Sequence, residues 1–197
     1  MKSATRPYRM VARAASAEAT GERILDVAEE VFWERPGDQV SLEEVARRAG
    51  VSVQTVIRRF GGREELLEAA VERGSENVRS RRDETRAGDV AGAVDALLDH
   101  YDVYGDRVLR LLAEENRTPA LREISDSGRR LHRDWCSRVF APALAGLAGV
   151  ARDRRLAQFV AICDVYTWKL LRRDAGLSHR QTGIALVELL EPLTEEA

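Results

Sequence analysis

The chain is 197 residues long, 44% hydrophobic and 32% charged, with a formal net charge of −2 at pH 7. That length exceeds one small reading module and falls short of three domains, yet it is ample for a true core. The near-neutral balance excludes a bulk electrostatic pull on nucleic acid; no run approaches the ~18 apolar residues of a membrane span and no apolar leader opens the chain, so a cytoplasmic protein is expected.

Residues 1–19 hold Lys2, Arg6, Arg9 and Arg13 against one acid, Glu18, and read as a basic, disordered arm. Two roles stay open for it: contact with DNA phosphates or a minor groove, and a solubilising tail. Thr20 can cap a first helix running to about Trp33, with Ile24, Ala28, Val31 and Phe32 on its inner face, and Pro36-Gly37 breaks it.

Ser41 to Phe60 then read as two short helices around a glycine turn. Ser41 and Glu44 have the spacing of a capping box, and Leu42, Val45, Ala46 and Ala49 fall on one face. Gly50 stands where the chain leaves the helix, a place where a left-handed backbone suits glycine and strains other residues. Ser52 can cap the next helix. Val56 and Phe60, four apart, turn inward, which leaves Val53, Gln54, Ile57 and Arg58 outward. A short helix packed on another and presenting residues to solvent describes a DNA-reading helix-turn-helix. Charge agrees: five arginines and no acid lie between Ala46 and Arg63, whereas residues 21–45 hold eight acids and two arginines. The bland reading of the same arginines is the solvated face of an ordinary bundle.

These residues resemble the TetR family of transcriptional regulators. The match is carried by Arg23-Ile24-Leu25, Ala28, Phe32, Ser41, Val45-Ala46, Ala49-Gly50-Val51-Ser52, Thr55, Phe60 and Glu64-Glu65-Leu66-Leu67. The resemblance implies an all-α fold: an N-terminal three-helix helix-turn-helix DNA-binding domain over 20–66, joined to a C-terminal helical ligand-binding and dimerisation bundle over 67–197. It also implies a homodimer on a palindromic, double-stranded DNA operator. The departures are Gln54 for the family's glycine, Val56 for leucine, Ile57 for tyrosine, Arg59 for histidine and Arg63 for lysine. Arg59 and Arg63 keep a positive charge where the resemblance implies phosphate contacts; Ser41 joins them, with Arg47 and Arg48 as weaker candidates. Val53, Gln54, Thr55, Ile57 and Arg58 form the base-reading set. Glutamine can pair bidentately with adenine, and Ile57 can pack on a thymine methyl, so an operator unlike that of glycine–tyrosine relatives is expected.

Gly61-Gly62 separates this pair from a fourth helix starting near Arg63 and running towards Arg82, to which the resemblance assigns a lever role; Gly74 and Ser75 weaken its middle. From Asp89 onward the pattern stays helical. One helix runs from about Asp89 to Tyr104 and a second from Asp106 to about Asn116. Thr118-Pro119 opens a third, with Leu121, Ile124, Gly128, Leu131, Trp135 and Val139 along its seam. Another covers about Asp153 to Asp174, and Ser178 caps the last.

The final two helices are apolar on more than one face, which points to pairing with the same helices of a second copy through Phe159, Tyr166, Trp168, Ile184, Val187 and Leu190. Burial inside one subunit is the other reading. By the resemblance, a small hydrophobic or aromatic effector would sit between the helices from Asp89 to Pro142, walled partly by the helix holding Cys163. Tyr101, Tyr104, His132, Trp135 and Asp164 are the candidate residues, each of which also reads as an ordinary core or surface group. Cys136 and Cys163 read as reduced, buried thiols, with a disulfide or redox switch left open.

Enzyme chemistry finds no footing. His100, His132 and His179 lack a glutamate three residues earlier, and there is no His-Glu-x-x-His, Cys-x-x-Cys, Gly-rich phosphate loop or Gly-x-Ser-x-Gly. No catalytic, metal or cofactor site is expected. The sequence therefore reads as a ligand-responsive, sequence-specific transcriptional regulator, a repressor in first reading. The opposing class is a helical small-molecule-binding protein or enzyme without DNA binding. Operator, regulated genes and effector identity are not written in these residues.

Overall fold

The recurrence of apolar residues every three to four positions is realised as helix throughout. The computed structural model describes residues 5–34 and 40–195, without the side chains of residues 5–14, Trp33, Ser75, Asn77 and Arg81, and every regular element among the described residues is helical. Two compact units divide the chain, residues 1–74 and 75–197. The first holds α1 (Thr5–Glu34), α2 (Leu42–Ala49), α3 (Val53–Phe60) and the first half of α4 (Arg63–Asp83). Ile24, Ala28 and Val31 of α1, Val45, Ala46 and Ala49 of α2, Val56 of α3 and Leu66, Leu67 and Ala70 of α4 make its core. Each large aliphatic among them contributes roughly 1.5–3 kcal/mol by leaving water. α4 supplies three of these core residues.

α1 starts at Thr5, not at Thr20, and so runs through residues read as a disordered arm. The stretch before Thr20 is rich in alanine, the strongest helix former. The Thr20 hydroxyl, expected to cap, donates to the Ser16 carbonyl at 2.8 Å inside the helix. The side chains of Lys2, Arg6, Arg9 and Arg13 lie outside the described residues, as does the break at Pro36-Gly37. Arg73 of α4 fastens α1 in place: its guanidinium meets Glu22 at 3.2 Å, Asp26 at 2.8 Å and Glu29 at 3.4 Å.

The second unit holds the end of α4, then α5 (Val90–Glu114), α6 (Pro119–Val139), the single turn α7 (Ala141–Leu144), α8 (Gly149–Ile162), α9 (Val165–Lys169) running into a π-helical turn over Leu170–Asp174, and α10 (His179–Glu195). Asp89, Thr118 and Ser178 cap α5, α6 and α10 by accepting from the Gly92, Leu121 and Gln181 amides. The two helices expected between Asp89 and Asn116 are one, because Gly105 does not break the run: it is buried, and the Trp168 ring lies on it. Conversely, the single helix expected over 153–174 is two. Asp164 adopts an extended backbone and its carboxylate accepts from the Tyr166 amide, which starts a new helix at Val165.

The core of this unit centres on Phe140 and Phe159, stacked with ring centroids 4.2 Å apart, and on Trp168. Phe159, Trp168 and Leu190 are each 0% exposed within one chain, so they are core residues and not interface residues as expected. The extra apolar width of their helices comes partly from a core layer contributed on each side. Tyr166 and Ile184 are exposed and Val187 half-buried; Leu170 and Leu189 are exposed beside them in sequence.

A methyl group at Gly105 would meet the Trp168 ring at 2.5 Å. Gly105→Ala is therefore expected to destabilise the second unit by roughly 1–3 kcal/mol through overpacking, despite alanine's better helix propensity. Chemical denaturation followed by tryptophan fluorescence reads this; an unchanged or raised midpoint would show that Trp168 yields freely.

Candidate functional site

The helix-turn-helix is assembled from local bonds that its sequence dictates. The Ser41 hydroxyl accepts from the Glu44 amide at 3.2 Å and starts α2. Gly50 ends it with φ 67°, in the left-handed region. Its amide donates to the Arg47 carbonyl and the Val51 amide to the Ala46 carbonyl, closing a Schellman-type turn. From α1, the Arg23 Nε donates to the Ala49 carbonyl at 3.0 Å, satisfying one more open group at the end of α2. The Ser52 hydroxyl then accepts from the Thr55 amide at 3.2 Å and begins α3.

On α3 only Val56 is fully buried; Phe60, expected inward with it, is half-buried. Gln54, Ile57, Arg58 and Arg59 are exposed, and Val53 and Thr55 are intermediate. Ile57, at 41%, is one of the exposed large apolar side chains of the protein. The Thr55 hydroxyl lies 2.9 Å from the Ser52 hydroxyl, so part of its hydrogen-bonding capacity serves the cap. Among the base-reading candidates, Gln54, Ile57 and Arg58 thus face solvent together.

The phosphate candidates are less uniform. Arg59 reaches back over Gly21 of α1 and lies 6.0 Å from the Phe60 ring centroid. Arg63 is half-buried and its Nε donates to the Val40 carbonyl at 2.6 Å, which ties the start of α4 to the entry of α2. Arg48 is held by Glu34 at 2.7 Å and by Glu44 at 2.7 Å, and its guanidinium is largely covered. Arg47 pairs with Glu44 at 2.9 Å yet keeps 70% of its side chain exposed. Spacing alone had not distinguished these arginines; the acids of α1 and α2 do. Arg23, which sequence reading used only as a family mark, is a structural anchor of the turn.

The other candidates lie within the second unit. Tyr101, His132 and Trp135 come together around a residue that sequence reading passed over, Arg82, which is 7% exposed. The Arg82 guanidinium sits 4.9 Å from the Trp135 ring centroid and 3.5 Å from His132 Nδ1, with its charge near the Tyr101 hydroxyl. With Nδ1 accepting, His132 Nε2 carries the proton and donates to the Val160 carbonyl at 3.2 Å. The Tyr101 hydroxyl donates to the Cys163 carbonyl, and burial pushes its pKa up. Cys136 and Cys163 are both free and buried here. A hydrogen bond from Cys163, with His132 3.8 Å away and Arg82 nearby, lowers Cys136 to about 6, while the same pairing raises Cys163. Tyr104 turns away to His100 and Arg107, and Asp164 serves as the cap of α9. No cluster of three metal-ligating side chains occurs among the described residues, and no helix among them is long and apolar enough to cross a membrane.

Glu44 gives the first unit a defined acid response. Hydrogen bonds from Arg47 and then Arg48 lower its carboxyl from 4.5 to about 2. A lowered folded-state pKa stabilises the fold above the unfolded value and loses that stabilisation as protons bind. Stability is therefore expected to fall as pH drops from about 4.5 through 2, and Glu44→Gln to flatten that limb; equal limbs in pH-dependent unfolding of both proteins would refute it.

Comparison with known proteins follows the same outline. Residues 24–70 match the family model described as bacterial regulatory proteins, tetR family. Over 58 residues the chain is 41% identical to the HTH-type transcriptional regulator SrpR of Pseudomonas putida, covering 29% of this chain and 27% of that protein. The chain thus spans little more than a quarter of the length of this curated relative. Among solved structures, a transcriptional regulator from Rhodococcus sp. Rha1 superposes with a TM-score of 0.67 at 23% identity, over 90% of this chain and 97% of that one. The SmeT–triclosan complex does so with a TM-score of 0.67 at 22% identity, over 88% of this chain and 91% of that one. At such identities the likeness is one of fold.

Proposed function

We propose that this chain, a member of the TetR family of bacterial regulatory proteins, works as a homodimeric, sequence-specific DNA-binding repressor that a small effector releases from its operator. One observation carries the reading: an eight-residue helix, α3, pinned by a glycine turn and presenting Gln54, Ile57 and Arg58 side by side to solvent. A helix of that size enters a major groove, where Gln54 reads adenine, Ile57 a thymine methyl and Arg58 a guanine. Arg47 and Arg59 reach the flanking phosphates, and Ser41 contributes a hydroxyl at the start of α2. Arg48 and Arg63 act one step removed, by holding α2 and α4 at the angle the groove requires.

Two copies are needed because a palindrome repeats the same half-site. The exposed apolar side chains Tyr166, Leu170, Ile184 and Leu189 supply a surface for the pairing. The cytoplasm is where such a protein would meet its operator. An effector site in the second unit agrees with the buried cluster around Arg82, and a protein of the same fold is known as a complex with a small molecule, triclosan. Repression follows if the occupied palindrome overlaps a promoter.

Selection of bound duplexes from a random pool, at two salt concentrations, tests this. A palindrome with a steep salt slope is expected; absent or salt-insensitive binding would favour a helical ligand-binding protein without DNA recognition. Arg58→Ala should cost about 1–3 kcal/mol at one base pair and relax preference there. Arg59→Ala should weaken all sequences alike and lower the salt slope by about 1. Gln54→Ala should erase an adenine preference, and a selected site identical to the parent's would contradict its role.

A further inference from the structure

We propose that Cys136 and Cys163 are a redox pair inside the helical unit 75–197: a small peroxide oxidises the Cys136 thiolate, and Cys163 then closes a disulfide with it. Any effect of that bond on DNA binding rests on the regulator reading above; the chemistry of the pair does not.

The proton on His132 is placed by Arg82. A guanidinium donates and cannot accept, so His132 Nδ1, 3.5 Å from Arg82, is the accepting nitrogen and Nε2 holds the hydrogen. Nε2 lies 3.8 Å from Cys136 Sγ, one helical turn along α6, and 3.2 Å from the Val160 carbonyl. One N–H thus serves a carbonyl and a sulfur, with a permanent cation behind the ring. Cys163, at the C-cap of α8, brings its thiol to the same sulfur as a second donor.

Burial alone would keep both thiols neutral and inert. At Cys136 the bond from Cys163, then His132 and Arg82, outweigh burial and lower the pKa to about 6. At Cys163 the same bond, then burial and the Asp164 carboxylate, keep the proton on sulfur. The Cys136 thiolate is also an anion for the buried Arg82 charge, which would be costly alone. One sulfur is therefore a nucleophile and the other a proton-bearing thiol beside it.

That inequality suits a peroxide. The Cys136 thiolate attacks one peroxide oxygen: an S–O bond forms, the O–O bond breaks, and hydroxide leaves, taking up the proton that Cys136 gave to solvent. Sulfur loses two electrons and becomes a sulfenic acid, and the peroxide is reduced. The Cys163 sulfur then attacks the Cys136 sulfur. An S–S bond forms, the S–O bond breaks, and the departing hydroxide takes the Cys163 proton to leave as water. Cys163 stands at a helix break, with ψ 3° and an extended Asp164 at ψ 153° beside it, so closing the bond does not bend a helix in mid-length. Cys136 and Cys163 are 0% and 2% exposed, which admits a small neutral peroxide during brief openings and shuts out a tripeptide disulfide.

The test exposes the full reduced chain to hydrogen peroxide or to oxidised glutathione, read by intact mass and free-thiol count. Peroxide should remove two hydrogens and both thiols within one chain, and oxidised glutathione should act roughly tenfold or more slowly. Cys163→Ser should stop at one added oxygen, captured by dimedone, and Cys136→Ser should keep its remaining thiol. His132→Leu removes the Nε2 donor and leaves both sulfurs. It should raise the thiolate midpoint read by ultraviolet absorbance and slow peroxide uptake at pH 7 by roughly tenfold. The two cysteine variants keep the idea testable if His132→Leu does not fold.

Thiols that persist under peroxide overturn the pair. So do bonds formed only between chains, a sulfenic acid that persists in the parent, equal speed with oxidised glutathione, or an unmoved midpoint in His132→Leu. If the bond forms and neither redox form binds any duplex, the pair stands and the regulator falls. If duplex selection yields a palindrome while the thiols persist, the pair falls and the regulator stands.

Discussion

What α3 presents to its surroundings is set by the backbone at Gly50. Eight residues are too few to hold a helix in water, so α3 exists because α2 and α1 hold it. The left-handed φ of Gly50 turns the chain within two residues, and three bonds keep it turned: two from the amides of Gly50 and Val51, one from Arg23 to the Ala49 carbonyl. With that turn fixed, Val56 can only point into the core, and the helical period then puts Gln54, Ile57 and Arg58 outside. A side chain with a Cβ at position 50 would meet no neighbour, so the constraint there is conformational and not steric.

Charge in the first unit is mostly spent internally. Counting arginines between Ala46 and Arg63 overstates the field available to a polyanion, because Glu34 and Glu44 hold Arg48 and Glu44 also holds Arg47. The acids of α1, for their part, converge on Arg73. What stays outward is a narrow strip, Arg58 with Arg59 and the exposed length of Arg47. Such a strip suits a protein whose bulk charge is near zero, since a counterpart must be brought close before the local field is felt beyond about 8–10 Å of screening.

Much of this was legible in the sequence because it is local. Caps at Ser41, Ser52, Asp89, Thr118 and Ser178 depend on residues three apart, and Gly50 on its own φ, so neighbours in sequence suffice to read them. What was not legible depends on partners far along the chain. Gly105 reads as a break until Trp168, 63 positions on, is known to lie over it. Phe159, Trp168 and Leu190 read as surplus apolar width until the core layer that covers them is seen. Arg82 reads as one more arginine at the basic end of α4. Nothing in its own segment shows that its guanidinium turns inward onto Trp135 and His132 of α6; only the fold brings them together.

Within the second unit, the end of α4 is tied to α6 by backbone acceptors. The Arg138 guanidinium of α6 takes the Arg82 carbonyl at 2.8 Å and the Thr85 carbonyl at 3.0 Å, and the Gly88 amide, just beyond, donates to the Val139 carbonyl at 2.7 Å. A displacement of α6 would therefore carry the end of α4 with it unless these bonds break. A ligand bound against α6 would shift that arrangement only as far as it prefers one placement over the other.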